Sequence, residues 1–311
     1  MGILYQELSS LEHDLGVKAR TLYAMSNRLG KHYHPVRLPK ADGSYRQLYV
    51  PDEPLKRIQR KIQNVLLVDC ELSPYATAYR YGGSIIKNAR PHVGKDRILK
   101  LDIRNFFDSI RYSTVKDRVF PSERYSEKNR ILLTMLCYYR DALPQGAPTS
   151  PAISNIIMRD FDNAIGAWCA KSGIVYTRYC DDMTFSGPVN ADEVASLVRQ
   201  RLAADGFRLN ERKTKCIDSH HRQTVTGIVV NSKENTAISY RKQLRQEMYY
   251  CQKFGIESHL LRIGIDSSPD QYLRRLSGKI NFVLSVTPDH KEMEGYKQWV
   301  KEQLAAVRHP E

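Results

Sequence analysis

Two adjacent acids, Asp181 and Asp182, stand between two strand-like segments and are the residues in this chain best suited to metal chemistry. Residues 174–179 are rich in β-branched and aromatic types and residues 183–185 resume that composition, so we predict a tight β-hairpin with the acids at its tip. Neighbouring carboxylates repel each other and are costly to desolvate unless a cation neutralises them. Magnesium prefers such hard oxygen ligands, although an Asp-Asp pair alone is also a common surface turn.

A third acid, Asp102, follows the apolar-rich run 97–101 and is expected at the exit of a core strand. Two metal ions about 3.5–4 Å apart, held by converging carboxylates, can join an attacking hydroxyl to a phosphate and stabilise the leaving oxygen. Asp102, Asp181 and Asp182 together could supply these ligands. The fourth nearby acid, Asp108, is interpreted as a cap of the following helix.

The segments that must position these acids show a mixture of strand and helix patterns. Residues 35–50, with Asp-Gly near their centre, predict a hairpin. Apolar residues at helical spacing predict helices at 52–69, 126–140, 149–171 and 191–205. These helices should pack around the strands.

The motifs around the acids resemble, in order, the palm motifs of reverse transcriptases. They are Asp102-Ile-Arg-Asn-Phe-Phe-Asp-Ser-Ile, Leu143-Pro-Gln-Gly-Ala-Pro-Thr-Ser-Pro and Tyr179-Cys-Asp-Asp. Residues 208–215 resemble the next palm motif, and residues 225–230 occupy the position of the primer-grip strand. The resemblance covers most of the chain. It implies an α+β fold of the right-hand polymerase type, with fingers and palm followed by a small helical thumb.

Two shorter motifs are similar to signatures of bacterial retron reverse transcriptases, so the chain is identified as a member of that branch. Residues 88–92 match the Asn-Ala-x-x-His signature and residues 225–227 match the Val-Thr-Gly signature. Taken alone, the first could be a polar loop before a strand and the second a strand that ends at a bend. The residues that the resemblance places near RNA recognition or priming are Asn88, Ala89, His92, Val225, Thr226 and Gly227.

The resemblance also implies roles for residues around the acids. Two Mg²⁺ ions would be held by the three aspartates and by the backbone carbonyl of Ile103. They would activate the primer hydroxyl, align it with the α-phosphate and neutralise the pyrophosphate. The residues implied to bind the incoming nucleotide are Lys40, Arg46, Phe107, Gln145, Gly146 and Lys213.

Several of these roles have alternatives in the sequence itself. Lys40 and Arg46 flank the Asp-Gly turn of the hairpin, which would close on the triphosphate, but they could belong to a simple exposed basic hairpin. Phe107 would stack under the sugar and exclude a ribose 2′-hydroxyl, or it could be a core aromatic. Lys213 would protonate the departing pyrophosphate, or it could be an ordinary surface lysine.

Composition favours a polyanionic partner. The 311 residues include 48 Lys and Arg against 34 Asp and Glu, a formal net charge of +14, which suits phosphate contacts with nucleic acid. A solvated basic surface or a membrane-surface protein is the alternative, but no lipidation signal is visible. The six cysteines show no Cys-x-x-Cys spacing, which argues against a zinc site and a disulfide framework.

Three segments are expected along the chain. They are an N-terminal helical lead-in at 1–34, the fingers and palm at 35–232, and a helical thumb at 233–311. In the thumb, Arg and Lys alternate with Tyr, which suits contacts with phosphates and stacking on bases. An ordinary helix with a solvated basic face is the alternative there.

The retron resemblance implies specific partners. They are a cognate structured non-coding RNA, dNTPs, and a branched RNA-linked DNA product (msDNA) primed from the 2′-hydroxyl of an internal guanosine. An effector protein encoded nearby and a role in defence against phage are also implied. The length leaves no room for a nuclease domain, so host ribonuclease H is expected to remove the template. Because the sequence shows no signal peptide and no apolar run of about 20 residues, we expect a soluble, cytoplasmic protein without membrane contact.

Two rival interpretations stay open. One is a reverse transcriptase of another bacterial class, of the group II intron or diversity-generating type, which the two signatures and the lack of a maturase-like extension argue against. The other is an RNA-binding scaffold that no longer catalyses. The complete set of acids weighs against a scaffold, because clustered charge is costly to fold.

Overall fold

The computed structural model describes residues 4–39, 43 and 45–308. The chain divides into two compact units, the first within Met1–Ser84 and Arg97–Cys216 and the second within Ile85–Asp96 and Ile217–Glu311. Neither unit is therefore one continuous stretch of sequence, and the division expected at 34 and 232 stays a prediction. Among the described residues, every helix is too short or too polar to span a lipid bilayer.

The predicted hairpin is present near the start of the first unit. It consists of β1 (Tyr33–Pro39) and β2 (Tyr45–Pro51), which pair antiparallel along their whole length. Three short helices precede it: α1 (Leu8–Leu15), α2 (Ala19–Ser26) and α3 (Leu29–His32). After it, Asp52 caps α4 (Glu53–Lys61), because Asp52 Oδ1 accepts a hydrogen bond from the Leu55 amide at 3.0 Å. A π-helical turn, Ile62–Leu66, follows directly.

Four strands form the sheet that carries the acids. They are β3 (Arg97–Asp102), β4 (Val175–Tyr179), β5 (Asp182–Ser186) and β6 (Lys215–Asp218). Their order is β4-β5-β3-β6, and β5 pairs antiparallel with both β3 and β4. Leu99, Met183 and Phe185 in the two middle strands are fully buried, so these apolar strands lie at the centre of the sheet.

Five helices complete the first unit within its described part. They are α6 (Tyr112–Val119), α7 (Glu127–Cys137), α8 (Thr149–Ile157), α9 (Arg159–Lys171) and α10 (Ala191–Ala204). Their apolar faces and the strands share one buried core. The prediction of a single helix over 149–171 is wrong, because α8 and α9 meet at the buried Met158, whose ψ of −2° ends the first helix.

The second unit begins with α5 (Ile85–Ala89) and a 3-10 turn, Arg90–His92, and its strands and other α-helices come from the last third of the chain. They are β7 (Thr224–Val225), β8 (Ile228–Val229), α11 (Ile238–Phe254), α12 (Ile256–Ile263), α13 (Pro269–Val286) and α14 (Lys291–Arg308). Leu244, Met248, Leu276 and Met293 belong to a separate core among these helices. The α+β class expected from the sequence is confirmed by both units.

The absence of a side chain at Gly166 lets Tyr75 lie against α9. A Cβ atom added at Gly166 would stand 2.0 Å from the Tyr75 ring, and that ring also packs 5.6 Å from the ring of Tyr176. We therefore predict that Gly166→Ala lowers the melting temperature, since overpacking costs about 1–3 kcal/mol. Thermal melting followed by circular dichroism measures this.

The matched control is Gly278→Ala, also within a helix. A Cβ atom at Gly278 would meet nothing within 4 Å, so this change should leave the melting temperature unchanged or raise it, because alanine is the better helix former. Equal melting temperatures for the two variants would contradict the prediction.

Candidate active site

The ends of two neighbouring strands place Asp102 and Asp182 opposite each other. They are register partners in the antiparallel pairing of β3 with β5. Partners of this kind have Cβ atoms about 4.5–5.5 Å apart, and like charges in such positions are destabilising. Other groups must therefore offset the repulsion between the two carboxylates.

Asp181 lies in the connection between β4 and β5. Because Tyr179 and Asp182 are register partners, Cys180 and Asp181 form the two-residue turn that the sequence predicts. Cys180 has a φ of 61°, in the left-handed region that few residues other than glycine adopt. The Ile103 amide donates a hydrogen bond to the carbonyl of Asp181 at 3.0 Å, which fastens the turn to the end of β3.

The carboxylate of Asp102 is buried and bonded at both oxygens. Asp102 is 4% exposed; Asn210 Nδ2 donates to its Oδ1 at 2.8 Å, and Lys213 Nζ donates to its Oδ2 at 2.6 Å. The Asn210 amide also donates to the Asp102 carbonyl at 2.8 Å. The hydrogen bond to Asp102 raises the pKa of Lys213. Lys213 is thus the counter-ion of Asp102, a contact that the sequence did not reveal.

The pKa of Asp182 is also shifted. Loss of solvent, followed by the charges of Asp181 and Asp102, raises the pKa of this carboxyl, whereas the charges of Lys213 and Lys100 oppose the shift. Asp102 is the register partner of Asp182, and Asp181 precedes Asp182 in the turn, so the three predicted acids lie close together as one charged group. An additional cation would favour their ionised forms.

The donor chemistry of this group fits a divalent metal ion, because carboxylate and carbonyl oxygens are its preferred ligands. Each oxygen of Asp102 accepts one hydrogen bond, and a carboxylate has about four lone-pair sites, so both oxygens can still bind a metal ion. In the described part of the chain, no three His, Cys, Asp or Glu side chains are already gathered as a metal site.

A buried ion pair supports the acidic turn from inside the protein. Arg178 of β4 and Asp162 of α9 are both 0% exposed, with Nη2 and Oδ2 2.6 Å apart. Arg178 Nη1 donates to the Cys180 carbonyl at 2.8 Å, and the Tyr176 hydroxyl donates to Asp162 at 2.8 Å. Arg178 Nη2 also donates to Asn155 Oδ1 at 3.2 Å. Sequence reasoning missed Arg178, although a lone charged residue in an apolar strand was a usable signal.

A cavity of about 440 Å³ in the first unit gathers most of the predicted nucleotide-binding residues. Arg46, Phe107, Gln145 and Gly146 all line it. Lys40 lies outside the described residues. The cavity is the right size for a small ligand, since such sites are typically about 300–1,000 Å³.

Two further cations on this cavity were not predicted. Lys56 and Arg60 of α4 line it together with Arg46, and both pair with Glu53, at 3.1 Å and 3.5 Å. Their spacing of four residues puts them on one face of the helix. Sequence reasoning used only the apolar face of this helix.

The loop that contains Gly146 approaches β2 closely. A Cβ atom at Gly146 would lie 2.8 Å from the Tyr49 carbonyl oxygen, so glycine permits this contact. The neighbouring Phe107 is half-buried, and its carbonyl accepts a hydrogen bond from the Leu143 amide at 3.2 Å. Phe106 is the buried member of the aromatic pair, at 3% exposure.

The interpretation of Asp108 as a helix cap is wrong. Asp108 lies inside a one-turn 3-10 helix, Phe107–Ser109. The next helix, α6, begins after Arg111, which occupies its N-cap position. The chain makes an additional tight turn between the acid motif and that helix.

The two signature motifs meet within the second unit. Asn88 Nδ2 donates to Thr226 Oγ1 at 3.4 Å, and Thr226 Oγ1 donates to the Ile85 carbonyl at 2.9 Å. Gly227 is exposed and has a φ of 82° in the turn between β7 and β8. The buried members of the two motifs are Asn88, Ala89, His92 and Val225. A role in RNA recognition stays a prediction, and the turn at Thr226 and Gly227 is the part most open to a ligand.

The buried ion pair gives a prediction about stability. Asp162→Asn removes the charge that neutralises Arg178 inside the core, and we expect a loss of about 3–5 kcal/mol in the free energy of unfolding. The matched control is Asp160→Asn, because Asp160 is 72% exposed and pairs with Arg159 at the surface. Exposed pairs contribute about 0–1 kcal/mol. Urea denaturation measures the free energy of unfolding of both variants. The same denaturation midpoint for both would contradict the role of Asp162 in neutralising Arg178.

Comparison with known proteins identifies the family. Residues 38–230 match the family described as reverse transcriptase (RNA-dependent DNA polymerase). The chain is 32% identical to the Retron Mx65 reverse transcriptase of Myxococcus xanthus, over 74% of this chain and 58% of that protein. It is 30% identical to the Retron Ec86 reverse transcriptase of Escherichia coli, over 81% of this chain and 75% of that protein. The chain thus spans just over half the length of the first relative and three quarters of the second.

A solved foamy viral protease-reverse transcriptase in complex with double-stranded DNA matches 89% of this chain and 44% of its own, with 14% identity and a TM-score of 0.49. The family match over more than half of the chain confirms the enzyme class predicted from the sequence, an RNA-directed DNA polymerase, and the right-hand polymerase fold. Reverse transcriptases generally use divalent metal ions, which agrees with the acidic group. The chain belongs to the reverse transcriptase family and, within it, to the retron reverse transcriptases.

Proposed function

We propose that this chain copies a cognate structured non-coding RNA, starts DNA synthesis from the 2′-hydroxyl of an internal guanosine, and so makes branched msDNA. The observation that carries the proposal is the opposed pair Asp102 and Asp182 beside Asp181, in a chain that belongs to the retron reverse transcriptases. A scaffold that only binds RNA would have no use for carboxylates whose repulsion must be offset.

Two Mg²⁺ ions would be held by the carboxylates of Asp102, Asp181 and Asp182 and by the backbone carbonyl of Ile103. When bound, the ions supply activation of the primer hydroxyl and neutralisation of the leaving pyrophosphate. The chain's own contribution is to keep these ligands in place. The Ile103 amide bonds the Asp181 carbonyl, and the Asn210 amide and side chain bond Asp102.

The 440 Å³ cavity would take the incoming nucleotide. Arg46, Lys56 and Arg60 offer charge-assisted hydrogen bonds to its triphosphate. Phe107 would lie under the sugar and exclude a ribose 2′-hydroxyl, and Gln145 would donate its amide to the nucleotide. A role for Lys213, the counter-ion of Asp102, in protonating the departing pyrophosphate stays a prediction.

Other proposed partners rest on the family alone. They are an effector protein encoded nearby, host ribonuclease H for removal of the template, and a place in defence against phage. The cytoplasmic location also stays a prediction.

The unpredicted cations give a test of nucleotide binding. We expect Lys56→Gln and Arg60→Gln each to raise the KM for dNTPs roughly ten- to hundredfold, because each removes a charge-assisted bond worth about 1.5–3 kcal/mol. Arg57→Gln is the matched control, since Arg57 is exposed on the same helix and does not line the cavity. Steady-state primer extension measures KM. Equal KM values for all three variants would show that Lys56 and Arg60 do not bind the nucleotide.

The main experiment expresses the chain together with its adjacent non-coding region and analyses the bound nucleic acid. The Asp181→Asn/Asp182→Asn variant should yield no DNA. The matched control, Asp192→Asn/Glu193→Gln, changes an adjacent acid pair in the exposed first turn of α10 and should retain synthesis.

The product identifies the reaction. A short DNA that becomes smaller after treatment with debranching enzyme, and that is absent from the Asp181→Asn/Asp182→Asn variant, would establish retron-type synthesis. Unbranched DNA would instead indicate a different class of reverse transcriptase. Bound RNA without DNA in the wild type would favour the scaffold.

A further inference from the structure

A second cavity, of about 640 Å³, lies within the second unit among α11, α12 and α13. The polymerase chemistry proposed above makes no use of it. The charged and aromatic side chains that line it are Glu247, Tyr250, His259, Arg262, Tyr272, Arg275 and Lys279. Its volume lies within the range of about 300–1,000 Å³ that is typical of small-ligand sites.

One wall of this cavity carries a buried polar group that lacks a partner. His259 is 4% exposed, and its Nε2 lies 3.0 Å from the Tyr272 hydroxyl. Its other ring nitrogen, Nδ1, has no hydrogen-bond partner among the described residues. A buried polar atom without a partner costs about 1–3 kcal/mol. Nδ1 itself has almost no accessible surface, so a ligand in the cavity meets other atoms of the His259 side chain.

The charge of the lining is positive. Glu247 is the one carboxylate among the residues named above, and it is paired with Lys279 at 2.7 Å. Arg262 and Arg275 are exposed, and no ion pair with a carboxylate joins either of them within the described part of the chain. Two cations are thus left for an anionic ligand.

Each of these arginines lies over an aromatic ring. The Arg262 guanidinium is 4.9 Å from the Tyr250 ring centroid, and that of Arg275 is 4.7 Å from the Tyr272 ring centroid. The Tyr250 ring is also nearly parallel to that of His259, at 9° and 5.7 Å between centroids. Flat guanidinium and aromatic groups of this kind stack with nucleobases, and arginine also binds phosphate through paired hydrogen bonds.

We propose that this cavity binds a single nucleotide, either free or as an unpaired nucleotide of an RNA. The base stacks on the guanidinium of Arg262, which itself lies over the Tyr250 ring. The phosphate pairs with Arg275. This site is not the nucleotide cavity of the first unit, because all of its lining residues belong to the second unit.

The test measures binding to the full chain by calorimetry in EDTA, so that metal-dependent binding of nucleotides at the polymerase site does not contribute. The probes are AMP, GMP, CMP and UMP, and two RNA hairpins that differ only by one bulged nucleotide. Arg275→Gln is compared with Arg274→Gln, because Arg274 is the adjacent residue of α13, pairs with Asp270 at 2.7 Å and does not line the cavity. The same measurement on Arg262→Gln tests the arginine that α12 contributes to the cavity.

We expect Arg275→Gln and Arg262→Gln to weaken binding about tenfold, as the loss of one charge-assisted bond predicts, while Arg274→Gln binds like the wild type. This pattern with a monophosphate would identify a free nucleotide as the ligand. The same pattern only with the bulged hairpin would identify an unpaired RNA nucleotide.

Two outcomes would overturn the proposal: no binding of any probe to the wild type, or the same affinity in all three variants for every probe. Thermal melting followed by circular dichroism shows that each variant is folded. Because Asp102, Asp181 and Asp182 belong to the first unit, failure of the nucleotide site is distinguishable from failure of the proposed polymerase function.

Discussion

The repulsion between Asp102 and Asp182 is the constraint around which the sheet of the first unit is arranged. Two carboxylates at partner positions can stay ionised only if nearby groups supply positive charge or hydrogen-bond donors. Asn210 and Lys213 supply both to Asp102. The segment that delivers them runs beside the end of β3, where the Arg104 amide bonds a carbonyl of that segment at 2.9 Å. One short segment thus extends the backbone pairing and offsets the charge.

The acidic turn needs a second support, because its backbone is unusual. Cys180 adopts a left-handed conformation, and its carbonyl accepts a hydrogen bond from Arg178 inside the core. The buried pair of Arg178 with Asp162 is weak evidence for extra stability, but it fixes where that carbonyl points. Tyr176 adds a bond to the same carboxylate, so the turn is tied to α9 and not only to its own strands.

Features set by neighbouring residues could be predicted from the sequence. The hairpin around Asp181, the strand that ends at Asp102 and the β1–β2 hairpin all follow from local patterns, and the structure contains them. Predictions of where a helix begins or ends were less successful. A continuous apolar face could not show that α8 ends at Met158, and the acid at Asp108 could not show that a 3-10 turn comes before α6.

The sequence by itself determined the family, the order of the motifs and the identity of the three acids, because those depend on residue types along the chain. Only the tertiary structure decided that Lys213 bonds Asp102, that Lys56 and Arg60 join Arg46 on one cavity, and that Asn88 contacts Thr226. The contacts of Lys213 with Asp102 and of Asn88 with Thr226 join residues more than a hundred positions apart in sequence. No local pattern encodes such contacts, because they arise only when the elements pack together.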